Sequence, residues 1–269
     1  MSNIAGSLYN IRYMDDLARM QTSVHRLHPL VKLVTTLAFL VAVVSFERYE
    51  IGGLLPFFFY PVIVIAAAEL PAAAILKRLL VVEPFIIGIG ILNPLFERQA
   101  FVLGGLTLSV GWITFLSIFI KCGLTVAAAI LLIATTGMDR LAAALRMLRV
   151  PRIFVLQLLL TYRYISVLAE EAARMLRAYA LRSPGQKGIQ RSAWGSFVGQ
   201  LLLRTFDRAQ RVYQAMCVRG FAGEYNTGEH MRIKAGDFIY LSGWIIFFTA
   251  ARIYNIPLLL GSLLSGVIK

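Results

Sequence analysis

The sequence predicts an all-α membrane protein with five transmembrane helices, or six, and a cytoplasmic domain of crossing amphipathic helices. First, 58% of the 269 residues are hydrophobic and 15% are charged, a composition more apolar than that of soluble domains. Second, the apolar residues form continuous runs, and about 20 helical residues cross a hydrocarbon core of about 30 Å. Third, ten of the thirteen net positive charges fall within residues 137–234.

Four segments follow from this pattern. Residues 1–29 are an interfacial or cytoplasmic N-terminal segment, 30–136 hold four transmembrane helices, 137–234 form the cytoplasmic domain, and 235–269 are a C-terminal transmembrane region. Pro29 suits the first turn of a helix, where its missing N–H costs nothing.

The predicted spans share long apolar runs bounded by polar or breaking residues; they lie at about 30–46, 51–68, 79–96, 111–136 and 236–254. Asn93-Pro94 is expected to end or bend the third span. Lys77-Arg78 marks the loop before it, and residues 97–110 form an external loop. A weaker run, 256–268, is re-entrant, interfacial or a sixth span.

The basic residues set the orientation. Residues 137–234 contain sixteen Lys or Arg and six Asp or Glu, and basic loops stay on the cytoplasmic side. The N-terminus is therefore predicted to be cytoplasmic. The net charge of +13 is explained by this topology and by the lipid bilayer as partner, so no nucleic acid is expected.

Two amphipathic helices are predicted in the cytoplasmic domain. Their apolar stripes have spacings of three and four residues: Leu168, Ala172, Met175 and Tyr179 in the first, and Leu202, Phe206, Ala209, Tyr213 and Met216 in the second. Arg204, Arg208 and Arg211 fall on another face of the second helix.

Each helix ends at an arginine that a chain breaker follows. Leu181-Arg182-Ser183 precedes Pro184, and Val218-Arg219 precedes Gly220, which suits the position after a helix end. One interpretation is a favourable contact between the cation and the helix dipole, worth about 0.3–1 kcal/mol. The other is a pair of docking knobs, since guanidinium groups bind carboxylates at interfaces. Gly195 and Gly199, four residues apart, either permit a close helix crossing or are merely tolerated at a helix start.

The sequence contains partial matches to a phosphate loop and to a metal site, and a lysine deep within a predicted span. Gly223 and Gly228 have the spacing of a phosphate loop, but Glu229-His230 stands where Lys-Ser/Thr is required, so no ATP hydrolysis is expected. His25 and His28 are interpreted as interfacial, because no third ligand is near, and no metal site is expected. Lys121, deep in the fourth span, is either functional or in contact with a neighbouring helix.

Four stretches resemble a known family: residues 27–33 (LHPLVKL), 161–164 (TYRY), 174–177 (RMLR) and 215–221 (AMCVRGF). The chain resembles the transmembrane (T) component of energy-coupling factor transporters, CbiQ/EcfT family, cobalt/nickel type. The family has Arg-centred motifs, commonly Ala-Arg-Gly, at the ends of two coupling helices. They correspond here to Arg182 and Arg219. Val218, Leu181, Ser183 and His28 depart from the family pattern, and Arg177 rivals Arg182 for the first motif.

The resemblance implies a scaffold in the bacterial inner membrane. It would join ABC-type ATPase subunits to a separate substrate-capture (S) membrane protein for a divalent metal ion, cobalt or nickel. ATP and Mg²⁺ would be bound by the ATPases, and this chain would carry no cofactor and no catalytic residue. The alternatives are a secondary transporter or channel that binds substrate among its own helices, which predicts several polar residues at mid-membrane, and a membrane-bound enzyme.

The predicted orientation is testable with reporter fusions. A reporter that is active only in the cytoplasm should work when fused after Leu145, because this position lies in the basic segment, and fail when fused after Gln99. The reverse pattern of reporter activity would contradict the orientation.

Overall fold

Long helices make up most of the chain in a computed structural model that describes residues 13–47, 50–91, 100–103, 106–183, 188–223 and 233–253. The α-helices are α1 Pro29–Val44, α2 Phe59–Ala67, α3 Ala72–Gly90, α4 Val110–Thr136, α5 Met138–Met147, α6 Arg152–Arg182, α7 Trp194–Val218 and α8 Ala235–Ile253. Two 3-10 helices, Gly52–Phe58 and Arg191–Ala193, lead into α2 and α7.

The chain divides into two compact units. The first, here called the membrane unit, comprises the described residues within Leu17–Gly137 and His230–Lys269. The second, called the coupling unit, comprises those within Met1–Asp16 and Met138–Glu229. The assignment of these units to membrane and cytoplasm stays a prediction.

The all-α architecture is confirmed, and the observed helix bounds lie close to most predicted spans. The third span is the exception, because α3 begins at Ala72 and includes Lys77-Arg78, which had been predicted as a loop. Alanine is the strongest helix former, so the run Ala72–Ala74 lets the helix begin before the apolar segment that was predicted as the span. Residues 92–99 and 254–269, which include Asn93-Pro94 and the weak sixth run, lie outside the described residues.

A small hairpin lies in the predicted external loop. Strands β1 Ala100–Leu103 and β2 Leu106–Ser109 pair antiparallel, with Ala100 opposite Ser109. Sequence reasoning had given this region no regular structure, since runs of four residues are too short to show a reliable period.

By length and composition alone, two helical segments among the described residues can cross a membrane, Gly111–Thr136 and Arg152–Arg182. Pro29–Val44 and Gly52–Ala67 are apolar but shorter. The second long segment falls in α6, within the region predicted to be cytoplasmic. Its polar side chains include Arg163, Glu171 and Arg174, and its location remains a prediction from the charge pattern.

An aromatic cluster forms the core of the membrane unit. The Phe39 side chain of α1 is fully buried. Its ring centroid lies 4.6 Å from that of Tyr60, 5.5 Å from that of Phe248 and 5.9 Å from that of Phe57. The Tyr60 hydroxyl lies 3.1 Å from that of Thr36. These contacts join α1, α2 and α8 through ring packing, which does not depend on water.

The two ends of α1 are tied to its neighbours. At one end the Lys32 ammonium donates to the Thr135 carbonyl of α4, at 2.7 Å. At the other, Lys121 of α4 donates to the carbonyls of Phe46 and Glu47, at 2.7 and 3.0 Å. Helices α1 and α4 therefore run antiparallel, and Lys121 lies level with the chain just past the end of α1.

Removal of the Phe39 ring should destabilise the membrane unit. A Phe39→Ala change opens a cavity among three other rings, and such changes cost about 3–5 kcal/mol in protein cores. We expect a clearly lower thermal midpoint for the purified protein in detergent. The matched control is Val41→Ala on the same helix, because Val41 is 70% exposed. Equal midpoints for the two variants would contradict the role assigned to the cluster.

Candidate coupling site

A three-residue ion network joins α6 to α7 in the coupling unit. Glu171 of α6 accepts from Arg174, at 2.5 Å, and from Arg204 of α7, at 2.6 Å. Both guanidinium groups donate hydrogen bonds to the charged carboxylate and hold the pKa of the Glu171 carboxyl below its usual range. The network joins the two helices that carry the predicted tips.

A small apolar core and one long-range hydrogen bond hold the first part of α6. Ala142 of α5 packs with Val155 and Leu159 of α6, and all three side chains are buried. The Tyr162 hydroxyl donates to the Asp15 carboxylate, at 2.6 Å. The start of α6 is thus anchored, while its far end carries the candidate tip.

The end of α7 is closed by a Schellman motif. The N–H of Gly220 donates to the Cys217 carbonyl at 2.9 Å, and that of Phe221 donates to the Met216 carbonyl at 3.0 Å. Gly220 has φ of +80°, a conformation that glycine adopts without the penalty a side chain brings. Arg219, the residue just before it, is the C-cap and is exposed. The Arg-Gly pair therefore presents Arg219 at the tip of α7 with a fixed backbone.

The end of α6 is simpler. Arg182 is its last residue, and the N–H of Ser183 donates to the Tyr179 carbonyl, at 3.1 Å. The side chain of Leu181 is 84% exposed, and Arg182 is exposed as well. Arg177 is also exposed on α6, so both arginines remain candidates for the first motif.

The predicted apolar stripe of α7 is exposed over most of its length. Leu202, Phe206 and Tyr213 are 67%, 61% and 61% exposed, while the stripe of α6 is half-buried. The half-buried side of α7 includes Leu201, Thr205 and Arg208 instead. The sequence correctly indicated an amphipathic helix, but its apolar stripe is not the side that the described part of the chain covers.

The glycine pair on α7 has open surroundings. A Cβ atom added to Gly195 or Gly199 would meet no other atom within 4 Å among the described residues. The structure of the described part of the chain therefore shows no close helix crossing at these glycines. Contact between α6 and α7 occurs further along, at Glu171 and Arg204.

Other predicted features have clear places in the structure. His25 and His28 are buried in the membrane unit, each 2% exposed, so the interfacial interpretation did not anticipate their packing. The ammonium of Lys121 binds backbone carbonyls of the segment that follows α1. Residues 224–232, where the phosphate-loop comparison ends, lie outside the described residues.

The family model for the cobalt transport protein CbiQ matches residues 20–230, which include helices α5 to α7 of the coupling unit with both helix tips. The chain belongs to the CbiQ family of cobalt transport proteins. The resemblance inferred from the sequence motifs is confirmed, and membership places the chain in a family of membrane proteins.

Relatives of the chain come from both archaea and bacteria. It is 25% identical over 241 residues to an uncharacterized protein, MJ1571, of Methanocaldococcus jannaschii, covering 85% of this chain and 82% of the relative. Nickel permease LarQ of Lactiplantibacillus plantarum is 28% identical over 57% of this chain and 55% of the relative. Cobalt transport protein CbiQ of Rhodobacter capsulatus is 35% identical over 35% of this chain and 38% of the relative.

The ion network predicts a pH-dependent stability. Because the folded-state pKa of Glu171 is lowered, its contribution is complete above the ordinary carboxyl pKa and is lost as pH falls through the lowered value. Glu171→Gln should therefore lower the melting temperature at pH 7, with a free-energy change on the order of 0.5 kcal/mol because the arginines are half-exposed. The difference from wild type should shrink under acid, and a gap that does not vary with pH would contradict the network's role.

Proposed function

We propose that this protein is the transmembrane coupling subunit of an ATP-driven importer for cobalt or nickel. In this proposal, ABC-type ATPase subunits bind the tips of α6 and α7, and their closure moves these helices. The motion reaches a separate membrane protein that captures the metal ion, which is the cargo. ATP and Mg²⁺ are bound by the ATPases, and no cofactor is required on this chain.

The observation that carries the proposal is the α7 tip. Arg219 stands at the end of a 25-residue helix whose last turn is fixed by Gly220. A preformed tip loses little conformational freedom on binding, which favours docking. The neighbouring Val218 is 89% exposed, so an apolar contact accompanies the guanidinium. This combination suits a groove with an apolar wall and a carboxylate.

The exposed stripe of α7 supports a second contact. Leu202, Phe206 and Tyr213 form an apolar face without cover in the described chain, and exposed apolar patches mark interaction sites. The printed names of two relatives, a nickel permease and a cobalt transport protein, support a divalent transition metal as cargo. Family membership supports a membrane location.

The alternative, a transporter with a substrate site among its own helices, has less support. Lys32 and Lys121 donate to backbone carbonyls, and Asp237 accepts from two backbone N–H groups. These charged side chains close helix ends within the bundle.

Charge reversal at the tip tests the proposal. Arg219→Glu sets a carboxylate at a helix C-terminus and removes the guanidinium from its partner, and loss of an interface charge pair costs on the order of 2–5 kcal/mol. We expect the variant to insert in the membrane but to retain the ATPases poorly in copurification, or to hydrolyse ATP without metal uptake. Arg182→Glu should act in the same direction, and the double variant most strongly.

The matched control is Arg211→Glu, because Arg211 is exposed on the same helix and lies before its tip. Arg208 and Arg211 both line the cleft beside Glu171 and Arg204, but Arg208 is half-buried there and is therefore unsuitable, whereas Arg211 is exposed. If Arg219→Glu and Arg211→Glu behave alike in copurification and uptake, the tip arginine is only a helix cap. A parallel Arg177→Glu variant decides which arginine of α6 takes part.

A further inference from the structure

The chain passes between the two units three times. The chain crosses from one unit to the other after Asp16, after Gly137 and after Glu229. Any force that the coupling unit transmits through the covalent chain therefore enters the membrane unit at one of three places. These are the segment before α1, the end of α4 and the segment before α8.

Contacts within the membrane unit link all three places in series through the start of α1 and the end of α4. The first contact is a close approach before α1. Gly137, which directly follows α4, has φ of +76°, and a Cβ atom added there would lie 3.2 Å from the Cβ of Ala18. A side chain at Gly137 would be strained and crowded, so the sequence must keep glycine there for the two segments to meet.

The second contact joins α1 to the end of α4. The Lys32 side chain is 3% exposed, and its ammonium donates to the carbonyl of Thr135, at 2.7 Å. Thr135 lies in the last turn of α4, two residues before the chain leaves the membrane unit. A buried ammonium that binds a helix C-terminus satisfies a carbonyl that the helix itself leaves free.

The third contact joins α1 to the start of α8. The Asp237 carboxylate, 4% exposed, accepts from the N–H of His28 at 2.9 Å and from the N–H of Lys234 at 2.7 Å. Both donors belong to backbone at a helix start, where N–H groups have no partner within the helix. One carboxylate thus fastens the beginning of α8 to the beginning of α1. His28 also caps α1, since its Nδ1 accepts from the N–H of Leu30.

We propose that these contacts form a basal clamp, defined by Ala18, His28, Lys32, Thr135, Gly137, Lys234 and Asp237, which transmits motion of the coupling unit to α1, α4 and α8 together. Lys32 and Asp237 are its positioning residues. Because each bond ends on backbone, movement of one connection displaces the helix starts and ends to which the others are fixed. The relevance of the clamp to transport rests on the proposed coupling function, whereas its mechanical role is a property of the chain alone.

The opposite end of the bundle supplies a matched control. Lys121 of α4 makes the same kind of bond as Lys32, an ammonium to backbone carbonyls, with the chain just past the end of α1. It lies about 21 Å away along α4, since fourteen residues separate it from Thr135 and each adds 1.5 Å. Lys32→Met and Lys121→Met therefore remove comparable bonds, but only the first belongs to the clamp.

Spin-label distances in the full-length protein in lipid nanodiscs test the clamp without any partner. One label goes on Cys217 of α7, which is exposed, and the other on an Ile246→Cys change in α8, with Cys122→Ser to leave no other thiol. We expect Lys32→Met and Asp237→Asn to widen the distance distribution between the units about twofold, because the connections become independent. Lys121→Met should keep the wild-type width.

A second label pair checks the fold of each variant. Labels on Val41→Cys in α1 and Ile246→Cys in α8, with Cys122→Ser and Cys217→Ser, lie at exposed positions within the membrane unit. Their distance distribution should stay unchanged in Asp237→Asn and Lys32→Met. An unchanged width between the units, equal widening by Lys121→Met, or widening within the membrane unit would each overturn the proposal.

The assembled complex separates this proposal from the coupling function. There, Lys32→Met should retain the ATPases in copurification and hydrolyse ATP, while metal uptake falls. If the wild-type chain does not copurify with ATPase subunits, the coupling function is overturned, whereas the spin-label result still stands. Normal uptake by a clamp variant that retains the ATPases would overturn the clamp's part in transport.

Discussion

Backbone groups at helix ends have no partner within their own helix, and inside an apolar bundle the protein itself must satisfy them. Buried or half-buried charged side chains do this here. Asp237 accepts from two N–H groups at helix starts, while Lys32 and Lys121 donate to carbonyls at helix ends. Arg252 extends the pattern, since it donates to the Ser45 side chain and carbonyl and lies over the Phe46 ring. These bonds join the ends of α1, α4 and α8 to one another or to the chain beside them.

The long apolar helices could be predicted from the sequence because a bilayer demands a run of a certain length. That rule located α1, α4 and α8 closely. It failed at the start of α3, because the helix begins at the alanines that precede Lys77-Arg78. It also did not predict the hairpin of β1 and β2. The rule also placed Lys121 deep in a span, because the depth was judged only from its position within the sequence of α4. Tertiary packing shows that α1 has already ended at that level.

The candidate site was predicted in part. The sequence pair Arg219-Gly220 indicated a helix end, and the backbone bonds of the Schellman motif explain why glycine is needed there. The covered side of α7 could not be predicted, because periodicity reports an apolar stripe but not what covers it. Glu171 and Arg204 were also not foreseen as partners, since no sequence signal links side chains on two different helices. The roles of Asp237 and Lys32 depend on contacts over distances of 209 and 103 residues.

The central claim is that the tip of α7 docks on an ATPase. It is tested most directly by site-specific photocrosslinking in native membranes, with a photoreactive amino acid in place of the exposed Val218. The account predicts a crosslinked product that mass spectrometry identifies as an ABC-type ATPase subunit, and no such product from the same probe at the exposed Val41 of α1. A probe at Val218 that reacts only with lipid, or gives the same products as the probe at Val41, would contradict it.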